Sequence, residues 1–275
     1  MSGKRIKNLI ILILALAVCF LLLAVVPGKL SARREEAALH EGLTELLARY
    51  GVSIDPALLV HGEALYAIEL GEADVSGAAE ALLGGRAAAD ESSTRYELLY
   101  TAESGSVSFS RSGALHAELY AAMDGRSYEQ DLQRRLRGMG YTVWQTQPAV
   151  RREDGVYELR VEQALLGMPV FGGTLTLSYQ DGTLCAADGV FYPENGAISR
   201  VSETACISCA DALTQLLTSR DALGWVGSQI TGLQQGYLHA ETATSALRFT
   251  PVWRVETDTA AFYINGITRE VRQAE

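Results

Sequence analysis

The segment SYEQDLQRRLRGMG, residues 127–140, opens the most legible part of the chain. Ser127 is a helix-capping residue type, Tyr128, Leu132, Leu136 and Met139 recur on one helical face, and Gly138 and Gly140 mark a stop. The residues that follow change period. Tyr141 to Val150, Gly155 to Ala164, Pro169 to Tyr179 and Leu184 to Tyr192 read as strands, separated by turn signals at Asp154-Gly155, Asp181-Gly182 and Glu194-Asn195-Gly196. Gly172-Gly173, just after Phe171, lacks the strand-then-helix context of a phosphate cradle and reads as a bulge or a close backbone approach. The stretch is one helix followed by a meander.

The same order appears on either side. Toward the C-terminus, a helix from Cys209 to about Arg220 follows Ser208. Strands then read near Gln234 to His239 and at Ala246 to Glu256, with a pair at Ala260 to Ile264 and Ile267 to Val271 across Asn265-Gly266, a hairpin signal. Toward the N-terminus, Arg33 to Tyr50 carries Leu39, Leu43, Leu46 and Leu47 at helical spacing, and Gly51 ends it. Ala64 to Leu70 reads as a strand, Val75 to Leu83 as a short helix, Gly84 to Ser93 as a loop, and Arg95–Thr101, Ser106–Ser110 and Ala114–Ala121 as three strands before a break at Asp124-Gly125. The predicted fold class is α+β: an N-terminal single transmembrane helix followed by helix-plus-antiparallel-meander units. The expected units span 31–123 and 126–275, the latter divisible into 126–200 and 204–275.

Leu9 to Val26 reads LIILILALAVCFLLLAVV, without a charged side chain and long enough at 1.5 Å per residue to span a bilayer core. Lys4, Arg5 and Lys7 precede it, so residues 1–7 are expected in the cytoplasm, 8–26 in the membrane and the rest outside. A cleaved secretory signal is the competing reading, but Val26-Pro27-Gly28-Lys29-Leu30 offers no clean small-residue site.

The chain of 275 residues is 48% hydrophobic and carries a formal charge of -10. Without the three basic residues of the tail the exported part stands at about -13, which argues against nucleic-acid partners. Cys19 falls in the anchor, leaving Cys185, Cys206 and Cys209 outside, too few for a disulfide scaffold. Cys206-Ile-Ser-Cys209 is a C-x-x-C ahead of a helix, open to three readings: part-buried thiols or an incidental disulfide, a redox pair, or a metal pair. The first is preferred because neither a thioredoxin-like strand nor a second C-x-x-C accompanies it.

His40, His61, His116 and His239 are scattered singly, and no hydrolase, phosphate-loop, dinucleotide or zinc-protease motif appears. The sequence therefore designates no catalytic, cofactor-binding or metal-ligating residue. Arg134, Arg135, Arg137, Arg151 and Arg152 form a basic cluster outside the tail, read as the solvated side of a helix before an anionic docking patch. Trp144, Trp225 and Trp253 read as core anchors.

Two further stretches carry a resemblance. Thr250-Pro-Val-Trp253-Arg-Val-Glu-Thr257 followed by Phe262-Tyr-Ile-Asn-Gly-Ile-Thr268, and Met168-Pro-Val-Phe171 ahead of Thr174-Leu-Thr-Leu-Ser178, together with the anchor, resemble the YycI/YycH family of membrane-anchored regulators in low-GC Gram-positive bacteria. Gly266 stands where that family usually has Ala, and Arg269 where Gly is usual. The resemblance implies PepSY-like exported domains and a non-enzymatic regulator without cofactors. It also implies two partners: a sensor histidine kinase of WalK type and a second YycH-like regulator. The alternatives are an exported domain that inhibits a peptidase or binds an envelope ligand, and an envelope thiol oxidoreductase built on Cys206 and Cys209.

Overall fold

The computed structural model describes residues 39–94, 96–240 and 247–274. The expected tail and membrane segment, 1–7 and 8–26, lie outside the described residues; among those described, no helix is long and apolar enough to cross a membrane.

Four helices form where the spacing placed them, and a short fifth follows the fourth. α1 covers residues 39–49, α2 Ser76–Leu83, α3 Tyr128–Met139, α4 Cys209–Thr218 and α5 Arg220–Leu223. Ser127 caps α3 by accepting from the Gln130 amide, and Gly140 closes it in the left-handed region at φ 71°. Ser208 does the same for α4, accepting from the Asp211 amide at 3.1 Å.

Among the described residues, sixteen strands join in one hydrogen-bonded network with two lobes. The inner lobe holds β3 (Ala88–Ala89), β4 (Glu97–Ala102), β5 (Gly105–Ser110), β6 (Ala114–Ala122), β7 (Val143–Thr146), β8 (Val150–Arg151), β9 (Tyr157–Leu165), β10 (Met168–Gln180) and β11 (Thr183–Val190). It is antiparallel throughout, in the order β3-β4-β5-β6-β11-β10-β9, with β7 and β8 on the far side of β9. The outer lobe holds β1 (Ser53–Ile54), β2 (Ile68–Leu70), β12 (Ile198–Arg200), β13 (Gln229–Ala240), β14 (Leu247–Thr257), β15 (Ala261–Asn265) and β16 (Val271–Gln273). Here β2 and β15 share one edge of β14 end to end, while β1 and β10 share one edge of β13, both parallel to it.

β10 belongs to both lobes. Its Val170 and Phe171 pair in parallel with Tyr237 and Leu238, and its Leu175–Gln180 stretch pairs with β11. The change of partner falls at Gly172-Gly173, where Gly172 has φ 77° and the β9–β10 register shifts between Pro169 and Thr174. A second glycine makes the crossing possible: a Cβ on Gly236 would lie 2.6 Å from the Pro169 carbonyl oxygen.

Three apolar cores result. α2 and α3 cover the inner lobe, where Leu82, Leu132, Leu159, Leu175 and Tyr179 are buried together. α1 and α4 cover the outer lobe through Leu47, Leu213, Leu216, Trp253 and Phe262. A third cluster fills the seam, with Tyr192 meeting Phe249 edge-on at 4.8 Å beside Leu65, Val170 and Tyr237.

Asp131, Arg135, Gln163 and Gln235 are buried and hydrogen-bonded, whereas Tyr141 Oη in the inner core and Trp225 Nε1 in the outer core are buried without a hydrogen-bond partner among the described residues. Asp131 and Arg135, both buried, join at 2.7 Å. Arg135 also donates to the carbonyls of Leu82 and Ala122, and Asp131 accepts from Tyr179 Oη and the Asp124 amide. Two glutamines act as borrowed backbone: Gln163 clasps the amide and carbonyl of Tyr192, and Gln235 those of Glu63.

The expected α+β series of helix-plus-antiparallel-meander units is thereby corrected. The protein is mostly sheet, a single mixed network with parallel as well as antiparallel pairings. β6 pairs with β11, so strands from 31–123 and from 126–200 lie side by side in one sheet. Many of the local helix and strand readings recur, though β3 falls in the expected loop 84–93 and β16 lies beyond the expected Ile267–Val271; sheet edges left open by one stretch are closed by strands distant in sequence.

Candidate functional site

The seam between the lobes holds a hollow of about 440 Å³. The segment after β2 forms one wall, the β5–β6 turn another, and the residues after β11 a third. Leu70, Leu98, Phe109, Phe191 and Leu247 make it largely apolar. Phe109 and Phe191 meet edge-on at 6.0 Å, and Tyr141 stacks behind Phe191 at 6.2 Å. At the mouth, Arg111 of the inner lobe donates to Glu72 of the segment after β2. A second pair, Arg248 with Glu69 at 3.6 Å, lies on the same side. The size and the mixture of apolar wall with few polar groups suit a small-molecule site. Its described lining contains no histidine, cysteine or lysine; its charged members are Glu69, Glu72 and Arg111.

The thiols are elsewhere. Cys185, Cys206 and Cys209 are free. Burial pushes the Cys206 thiol up, against hydrogen bonds from Gln235 and Trp253, and pushes the Cys209 thiol up to about 11. Both are therefore protonated at neutral pH, opposite to the lowered value a redox C-x-x-C uses. A Cβ on Gly266 would strike the Cys206 sulfur at 2.2 Å, so Cys206 is part of the packing beneath the last hairpin.

The basic cluster is dispersed. Arg135 is buried in the inner core, Arg134 pairs with Asp124, Arg152 with Glu158 at 2.7 Å, and Arg151 lies over the Tyr157 ring at 5.3 Å. The Arg134 guanidinium holds the Asp124 carboxyl below the usual carboxylate range. Of the three tryptophans, Trp225 and Trp253 are core residues, whereas Trp144 on β7 is 40% exposed.

One juxtaposition escaped the sequence. Ser108, His116 and Asp188 stand side by side on β5, β6 and β11, and His116 Nδ1 bonds Asp188. The order matches nucleophile, base and acid, but the three occupy the solvent face of the sheet, outside both hollows, and no hydrogen bond joins Ser108 to His116. Only cross-strand register brings them together, which no local motif encodes. A polar hollow of about 510 Å³ lies over β13–β16, and two of its polar side chains are engaged. Asn265 caps the Ile267 and Thr268 amides, and the Tyr263 ring sits between Phe171 and Arg272. Among the described residues no group of three or more His, Cys, Asp or Glu could hold a metal ion.

No protein-family profile and no curated protein matches the chain. Among solved structures, the crystal structure of an uncharacterized protein from Eubacterium rectale is similar at a TM-score of 0.37 and 11% identity, covering 68% of this chain and 71% of that one.

Proposed function

We propose that the chain is a single-pass, membrane-anchored extracytoplasmic regulatory protein that binds and modulates a sensor histidine kinase of a cell-envelope two-component system. The observation that carries the reading is the charge-free run Leu9–Val26 behind Lys4, Arg5 and Lys7, an anchor with its basic flank on the cytoplasmic side. Support comes from the first described element after it. α1 is docked on the outer lobe by Leu43 and Leu47, so a displacement of the segment leading into α1 reaches a packed body instead of ending in a free helix. In this reading the kinase is of WalK type and a second YycH-like regulator shares the complex.

Full-length protein carrying a C-terminal tag, crosslinked in its native membrane and purified, is expected to bring down a sensor kinase and a second single-pass protein. Exchange of residues 9–26 for an unrelated spanning helix is expected to impair kinase regulation; unchanged kinase output would count against the reading. The seam hollow favours a second reading, an exported domain that binds an envelope ligand or inhibits a peptidase. Copurification of a peptidase without a kinase would move the assignment there.

A further inference from the structure

The seam hollow has one charged group whose partner is easily exchanged. Arg111 is fixed by its place at the β5–β6 turn, where its amide donates to the Tyr96 carbonyl, and its side chain is only 34% exposed. Glu72, which holds its guanidinium, has a side chain 82% exposed. A pair with one member so far in solvent contributes little, so replacing Glu72 by another carboxylate costs little. Directly inside this pair lies the apolar floor of Phe109, Phe191 and Leu70. A half-buried guanidinium beside an apolar hollow favours a ligand that brings a carboxylate and an apolar body together, because the planar fork binds a carboxylate through two parallel donors while the walls take up the hydrocarbon. Glu72 then stands in, in the free protein, for the ligand's own head group.

We propose that the seam hollow binds a small amphiphilic carboxylate, whose acid displaces Glu72 from Arg111 and whose apolar part lies over Phe109 and Phe191. Both lobes contribute to the site, so the ligand bridges them. The inference does not rest on the kinase reading, and failure to recover a kinase leaves it intact.

The test uses the full chain in lipid nanodiscs with Ala114→Cys, which places a thiol at an exposed position of the hollow's lining. Maleimide labelling at position 114, followed by peptide mass mapping that separates it from the native cysteines, is measured against octanoate, octanol and octylamine. These probes share one hydrocarbon body and differ in head group. Octanoate is expected to protect at a concentration about tenfold lower than octylamine. In the Arg111→Gln background that advantage disappears. In the Glu72→Gln background, which removes the competing carboxylate without touching the fold, octanoate is expected to protect at a concentration about threefold lower than before. Equal protection by all three probes, absence of protection, or a Glu72→Gln change that weakens octanoate would each overturn the proposal.

Discussion

The two lobes are built from similar parts in opposite ways. The inner lobe is continuous in sequence: β3 to β11, with α2 and α3, run from Ser76 to Val190 without interruption. The outer lobe is assembled from the chain's two ends, with β1 and β2 near residues 53–70 and β12–β16 from 198 onward; the bond from Ser53 to the Ser228 carbonyl spans 175 positions. Their interiors differ as well. The inner lobe buries an ion pair tied into five further hydrogen bonds, whereas the outer core relies on aromatic volume centred on Trp253, which is 0% exposed. A lobe made of near neighbours closes cheaply, but one made of distant segments must first bring them together, so the outer lobe depends on the inner.

The comparison is broken most severely at its ionic centre. Asp131→Ala leaves the Arg135 guanidinium buried without its carboxylate, and a loss of about 3–5 kcal/mol is expected in urea denaturation, with both lobes unfolding together. Trp253→Ala empties the outer core and is expected to cost about 3–4 kcal/mol, but here the lobes should separate. Hydrogen exchange would then show fast β14 and β15 amides while β6 and β10 remain protected; uniform loss of protection would contradict the dependence argued above.

Smaller changes sharpen it. Gln163→Leu strands the Tyr192 amide and carbonyl at the seam, an expected loss of about 1–3 kcal/mol measurable by thermal unfolding. Ser127→Ala removes the α3 cap for about 1 kcal/mol, read most directly as faster exchange in the first turn of α3. The smallest effect is one of pH. Cys209 has its ordinary thiol value near 9 raised to about 11 by burial, so the folded state holds its proton longer than the unfolded state. That contribution is fully present below pH 9 and is lost as pH rises through 11. Alkylation of Cys209 in the folded protein should accordingly stay slow at pH 9 and accelerate only toward pH 11.

What the sequence could reveal followed the range of its signals. The α3 and α4 caps at Ser127 and Ser208 are local, and both helices begin there. The meander from Arg95 to Ala121 became β4, β5 and β6 for the same reason. The Asn265-Gly266 signal correctly marked a reversal, but the turn runs longer because Asn265 caps two amides and Arg269 takes φ 65°, moving β16 to Val271–Gln273. Arg135 read as part of a solvated helix face because polar type alone carries no trace of the α2 carbonyl and the buried Asp131 that receive it. The seam hollow was illegible for a related reason: its walls come from segments around 70, 98, 110, 191 and 247, which only the completed sheet brings together.

The points where the inner lobe leaves and re-enters the outer one are themselves bonded. Leu70 pairs with Ile198, and the Gly71 amide donates to the Ala197 carbonyl at 2.7 Å. In construction terms the inner lobe is a graft set into a host through one narrow doorway and propped at a second point, where Val170 pairs with Tyr237. Between the two lies the seam core of Leu65, Val170, Tyr192 and Phe249, so strand pairing and packing hold the same junction. Spin labels placed on either side of the Arg111–Glu72 mouth would read how tightly that junction holds, as the width of a distance distribution.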